Sequence, residues 1–348
     1  YPPRNPVKVK GIYVSAYVAG TGDMMDKIIE EVDRTELNAV VIDVKDDQGR
    51  ITYAMDSPTV NEIGACQVFI QDMPALMAKL KEHGIYTIAR VVAFRDPYLA
   101  EQKPEWSLHV ADGKIYRDNK GLAWVNPYKK EVWDYLIEVG KKAGEAGFDE
   151  IQFDYIRFAV DKTMNDVVFD DADTQGRDKT QAITEFIGYA HDELAKEGLF
   201  VSADVFGTIM RSEEDAAAVG QEYEDMAEQL DYICPMIYPS HYGPGNFGIE
   251  YPDTQPYDTI LNALNGSREL LAASAKEDAP QAVVRPWLQD FTASYLEHYI
   301  KYGDEQVRQQ IQAVYDAGYD QWILWDAGVS YHYGGLLTPE EAAKEDER

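Results

Sequence analysis

Short apolar, β-branched runs alternate along the chain with longer segments in which apolar residues recur every three to four positions. The runs are "GIYVSAY" from Gly11, "AVVIDVK" from Ala39, "YTIARVVAF" from Tyr86, "EIQFDYIRF" from Glu150, "FVSADVF" from Phe200, "YICPMIY" from Tyr232, "AVVRPWLQ" from Ala282 and "WILWDAG" from Trp322. They are nearly continuous in apolar character, as strands buried on both faces are. Segments such as "MMDKIIEEVDRT", "DMPALMAKLKEHG", "KEVWDYLIEVGKKAGEAG" and "DEQVRQQIQAVYDAG" carry the helical period, several stop at Gly, and a short acidic helix from Pro339 closes the set. Strict alternation predicts a parallel sheet covered by helices. Eight units predict a (β/α)8 TIM barrel spanning residues 1–348 as one domain, with a doubly wound open sheet as the alternative.

Loop lengths place the working end. Connections from helix to strand are a few residues long, whereas those leaving strands are extended, notably 47–69, 95–126, 159–178, 207–220 and 239–255. In a barrel, that face is the carboxyl end of the strands, where sites of this fold are built.

Alternate strand residues face the lumen. The register that turns apolar residues toward the helices sends Tyr13, Ser15 and Tyr17 inward from the first strand, Asp43 and Lys45 from the second, and Arg90 from the third. Later strands supply Gln152 and Asp154, Ser202 and Asp204, Met236 and Tyr238, then Arg285, Trp287 and Gln289, and finally Trp325 or Asp326. One buried polar residue is readily a satisfied core group. A ring of them from most strands points to chemistry, since burying a carboxylate costs several kcal/mol unless it is compensated.

Composition narrows that chemistry. With 32 Lys plus Arg against 62 Asp plus Glu, a formal charge of -30, the surface repels phosphate backbones and anionic headgroups, so nucleic acid is excluded as a partner. No apolar run approaches the ~20 residues of a membrane span. Cys66 and Cys234 are too few for a disulfide framework or a thiolate zinc site. The histidines at 83, 109, 191, 241, 298 and 332 fall on helices or loops, and no GxSxG, P-loop or HExxH motif occurs. "GTGDMM" from Gly20 reads as a turn before a helix, and "VFDDADTQGRD" from Val168 as a solvated acidic loop. Trp133 reads as helix packing, with Trp106 or Trp124 as candidate sugar platforms.

What remains is carboxylates, cations and aromatic rings, the ingredients of glycoside hydrolysis. Asp154 is the expected nucleophile or base and Asp204 the acid, with Asp43 as an alternative acid. Matching positions on adjacent strands put the carboxyls of Asp154 and Asp204 ~5 to 9 Å apart. Tyr13, Lys45, Arg90, Gln152, Tyr238, Trp287, Trp325 and Asp326 are the expected substrate contacts, with no metal and no cofactor.

The segments "VKGIYVSAYVAG", "ELNAVVIDVKDDQGRITY", "FDEIQFDYIRF" and "CPMIYPSHY" resemble the bacterial family of glycoside hydrolase barrels first filed as domain of unknown function 4015. The resemblance runs from about Lys10 to about Thr338. It implies a TIM barrel, a carbohydrate substrate and Asp154 as the leading catalytic residue, and motif by motif it points to Asp43, Lys45, Arg157 and Tyr238. No Glu stands at an inward strand end. Ile156 occupies the place of the catalytic Glu in the chitinase-type fourth strand.

Other readings compete. Lys45 could be a Schiff-base nucleophile, although flanking carboxylates raise rather than lower its pKa. Asp43, Asp154 and Asp204 could hold a divalent cation, or the barrel could bind carbohydrate in the cell envelope without turnover. A glycan-directed, acidic, aromatic-rich barrel with a proline-rich start is expected outside the cell or in its envelope, after removal of a signal segment.

Overall fold

The computed structural model describes residues 1–347. Eight strands form the barrel: β1 (Lys10–Val14), β2 (Ala39–Lys45), β3 (Tyr86–Val92), β4 (Glu150–Asp154), β5 (Phe200–Phe206), β6 (Tyr232–Met236), β7 (Trp287–Gln289) and β8 (Trp322–Trp325). Every neighbouring pair is parallel, and β7 contacts both β8 and β6, so the sheet closes on itself. The expected TIM barrel is present and the open-sheet alternative is removed. A short extra piece, Val283–Val284, pairs with β6 ahead of β7, and Pro286 lies in the gap between the two. Among the described residues, no helix is long and apolar enough to cross a membrane.

Local sequence sets each unit. In the helix Gly22–Arg34, the buried residues Met25, Ile28, Ile29 and Val32 repeat at helical spacing and so cover one stripe, which packs onto the sheet. The helix Lys130–Ala146 stops at Gly147, whose φ of 116° suits a residue without Cβ, and the chain turns straight into β4. The helix Lys179–Ala195 starts from a reciprocal capping box between Asp178 and Gln181.

Apolar packing forms two layers. The larger lies between strands and helices, and includes Val40, Ile42, Val91, Ile151, Phe153, Ala203 and Val205. The smaller fills the lumen with Val9, Val41, Ile88, Tyr232, Cys234, Trp287 and Ile323.

Set into the lumen is a buried polar cluster. Glu150, at the amino end of β4, accepts hydrogen bonds from Tyr86 (2.8 Å), Ser202 (2.7 Å) and Arg285 (2.7 Å). Arg285 also donates to Gln321 (3.0 Å) and lies 3.7 Å from the Tyr232 ring centroid. Gln152 donates to the Cys234 sulfur at 3.4 Å. Arg285, Gln152 and Ser202, all expected to face inward, do so. Arg285 and Ser202 meet on Glu150, and Gln152 is fully buried against Cys234 and outside the pocket lining, so Gln152 is a barrel-core residue and not the expected substrate contact.

Both charges of the Glu150–Arg285 pair are fully buried. Glu150→Gln should therefore destabilise the fold by ~3–5 kcal/mol, because it strands the guanidinium in a dry interior. Glu150→Gln combined with Arg285→Met should recover much of that loss. Urea unfolding of the two variants checks this, and an unchanged midpoint for Glu150→Gln would contradict it.

Candidate active site

The carboxyl ends of the strands converge on a pocket of about 220 Å³ lined by Asp47, Arg90, Asp154, Tyr155, Arg157, Asp204, Phe206, Gln221, Met236, Tyr238, His241, Trp287 and Trp325. Its centre is Arg90 on β3. The guanidinium donates through Nε (3.0 Å) and Nη2 (2.7 Å) to one oxygen of Asp154, and through Nη1 to Asp43 (2.8 Å) and Asp47 (2.9 Å). The Tyr13 hydroxyl donates to the second Asp43 oxygen at 2.5 Å. Burial pushes the Asp43 carboxyl up, against the pull of Arg90 and Tyr13.

Asp154, the last residue of β4, and Asp204, two residues before the end of β5, stand on neighbouring parallel strands, and their carboxyls meet within hydrogen-bonding reach. This is closer than the ~5 to 9 Å expected from strand spacing. Burial first, and then the negative charge of Asp154, hold the Asp204 carboxyl well above the ordinary range. The Trp287 indole donates to the other side of Asp204 at 2.6 Å. Asp204 thus holds its proton more tightly than an ordinary carboxyl.

A strained turn follows Asp154. Tyr155 has φ of 49°, a left-handed conformation that is costly for a bulky side chain, and its amide donates to Asp154 at 2.7 Å. Its ring carries Arg95 at 3.9 Å and Arg157 at 5.3 Å. Gln221 ties the two strand ends together, donating to the Ile156 carbonyl (3.1 Å) and accepting from the Phe206 amide (3.1 Å). On the opposite wall Trp325 stacks on Tyr13 at 4.1 Å and meets Trp287 edge-on.

Of the residues expected at the site, Asp154, Asp204, Arg90, Arg157, Tyr238, Trp287 and Trp325 line the pocket, and Asp43 and Tyr13 stand behind Arg90. Others lie elsewhere. A register shift in β2 between Asp43 and Lys45 turns Lys45 to a fully buried ion pair with Asp96 (2.8 Å) and to the Val92 carbonyl (2.5 Å). Lys45 is therefore an anchor for the loop after β3 rather than a substrate contact or an amine nucleophile. Asp326 caps its own turn by accepting from the Ser330 amide at 2.7 Å. β1 ends at Val14, so Ser15 caps a short helix and Tyr17 is exposed. Trp124 is buried, not an open platform, and donates to Asp118.

Asp47, Tyr155, Phe206, Gln221 and His241 are in the pocket without having been expected there. For Asp47 a signal existed in the DVKDD segment. Tyr155 was expected to face the helices, and the positive φ reverses it. Arg90 also stands between Asp43 and Asp154, two of the three carboxylates that the divalent-metal alternative would use.

A family model described as "Putative glycosyl hydrolase domain", domain of unknown function 4015, matches residues 11–331. The chain belongs to this family. No curated protein matches its sequence. Among solved structures, a hypothetical protein from Ruminiclostridium thermocellum ATCC 27405 shares 39% identity over 56% of this chain and 97% of its own, with a TM-score of 0.52. The PgaB (BpsB) glycoside hydrolase domain from Bordetella bronchiseptica is 11% identical over 92% of this chain and 94% of its own (TM-score 0.63). The Bacillus megaterium QM B1551 spore cortex-lytic enzyme SleL is 12% identical over 96% and 74% (TM-score 0.53). At such identities these last two likenesses speak for the fold.

The raised Asp204 carboxyl has a consequence for stability. The folded chain binds this proton where the unfolded chain, with an ordinary value of ~3.9, has released it. The contribution is fully present below that value and is lost as pH rises through the folded value. Asp204→Asn should accordingly gain stability relative to the parent as pH is raised above ~4. Parallel unfolding curves across pH test this, and a pH-independent difference would contradict it.

Proposed function

We propose that the chain hydrolyses a glycosidic bond in a poly- or oligosaccharide with Asp154 and Asp204 as its working pair. The observation that carries this reading is the contact between these two carboxyls at the barrel mouth, with the Asp204 proton held more tightly by burial and by its neighbour. A carboxylic acid that holds its proton above the ordinary carboxyl range is what protonation of a leaving glycosidic oxygen requires. Asp154, ion-paired to Arg90, is the nucleophile or base. Trp325, a partly exposed ring of the pocket, supplies a flat face for a sugar with Tyr238 beside it, and the pocket volume suits about one such unit.

In the reaction, the glycosidic oxygen replaces Asp154 as the acceptor of the Asp204 proton. The bond from that oxygen to the anomeric carbon breaks as the proton arrives. Asp154 then meets the positive charge developing on the sugar, either directly or by deprotonating a water. Retaining sites separate their carboxyls by ~5–5.5 Å and inverting ones by ~6.5–9.5 Å, so sugar entry has to part the pair. Asp43 fits the acid role less well, because both its oxygens are already engaged by Tyr13 and Arg90.

Asp154→Asn and Asp204→Asn should each lower kcat by ~100- to 10,000-fold on a glycan found by screening a polysaccharide panel for new reducing ends. The parent rate should fall on the alkaline side as Asp204 loses its proton, and this limb should vanish in Asp204→Asn. Added azide should restore turnover to an Asp154→Ala chain and yield a glycosyl azide if Asp154 is the nucleophile. Near-parental hydrolysis by Asp154→Asn would remove the assignment.

A further inference from the structure

Three arginines stand at the barrel mouth, and they differ in what neutralises them. Arg90 binds three carboxylates. Arg95 faces Asp47 at 3.3 Å. Arg157 lines the pocket and makes, among the described residues, one hydrogen bond only, from Nη1 to the Phe158 carbonyl at 3.1 Å, and no ion pair. A guanidinium has five N–H donors, so most of its capacity is directed at no protein acceptor. Its position is nevertheless fixed. The rings of Phe206, Trp124 and Tyr155 surround it at 4.7, 5.1 and 5.3 Å from their centroids.

Taking the guanidinium out of water is costly, and burial lowers the Arg157 pKa against the pull of Tyr155 and Asp154, neither of which makes a hydrogen bond to it. Asp154 lies three residues away but directs its oxygens to Arg90, the Tyr155 amide and Asp204. A planar, immobilised fork with free donors, opening into the pocket, is built to receive a planar anion.

We propose that Arg157 receives a carboxylate carried by the sugar bound beside Asp154, so that the substrate is a carboxylated glycan such as a uronide. The proposal rests on the hydrolase reading for the presence of a sugar in the pocket, and adds its chemical class. The formal charge of -30 bears on how dense the anionic groups are. Salt screens it beyond ~8 Å, so a lone carboxylate in the pocket meets mainly the nearby guanidinium, whereas a heavily charged polymer lying along the surface comes within range of many like charges. Sparse carboxylates suit this balance better than a densely sulfated chain.

The test is calorimetric binding to the full chain of three probes: short oligouronides, their carboxyl-reduced counterparts and sulfated neutral oligosaccharides. The parent chain should prefer the uronide over its reduced form by ~10- to 100-fold, the range of a charge-assisted hydrogen-bond pair. Arg157→Gln should bring that ratio close to unity, and Arg157→Lys should keep part of it. Equal affinity of the parent for the acidic and reduced probes, absence of binding to any uronide, or a preference for sulfate would overturn the proposal. So would an Arg157→Gln chain that binds both probes more weakly by the same factor, since that is the mark of a purely structural stack. Carboxylate-selective binding with no cleavage of any glycan would sink the hydrolase reading and leave this one standing. Cleavage of neutral glycans without charge preference would do the reverse.

Discussion

The site depends on one buried guanidinium. Removing Arg90 from water carries a desolvation cost of several kcal/mol, which the carboxylates of Asp43, Asp47 and Asp154 offset, with the rings of Tyr13 and Trp325 alongside. Because the fork is planar, with its donors at fixed angles, those carboxylates are held in direction as well as in distance. Three separate chain segments, the end of β2, the loop beyond it and the end of β4, are thereby oriented by one side chain. Asp204 is left outside this arrangement, with an indole and a neighbouring carboxyl as partners, and that difference in company is what separates the two members of the pair in protonation.

The lumen holds two polar layers with different energetics. In the lower one, Glu150 accepts from Arg285, Tyr86 and Ser202, and Gln321 takes a further Arg285 donor, while Arg285 Nη2 is left without a partner among the described residues. In the upper one, charges are compensated incompletely and the backbone is strained at Tyr155. Strain and incomplete compensation lower stability, and they persist where the surrounding fold can support them. The tightly packed lower layer is that support, and it sits directly beneath the strand ends that carry the pair.

Period-two alternation made much of this readable from sequence. It located all eight strands and turned Asp43, Arg90, Asp154, Asp204 and Trp287 into the lumen. It failed wherever the period itself broke. A bulge rotated Lys45 away from the pocket, β1 ended before Ser15 and Tyr17 could be part of it, and a left-handed residue brought Tyr155 round to face inward. Alternation also cannot separate depth along the axis, so Gln152 and Arg285 read like mouth residues although they belong to the barrel floor. Asp47, Gln221 and His241 reach the pocket from segments beyond the strand ends, where no short-range pattern fixes direction. Gly49 illustrates the difficulty: its φ of 84° and its contact with Asp96 shape the turn beside Asp47, and neither follows from neighbouring residues alone.

The interruption of the seventh strand makes the barrel wall uneven. Pro286 in the gap and Pro235 in β6 cannot donate to a ladder, so between β6 and β7 the sheet is laced more sparsely than between β2 and β3. A wall with fewer cross-links opens at lower free energy than its neighbours. This seam carries Trp287, the residue that grips the proton-bearing carboxyl of Asp204. The barrel is therefore more compliant on the side where Asp204 is held than between β2 and β3, and any movement of that carboxyl draws on give already present in the wall instead of requiring the whole cylinder to deform.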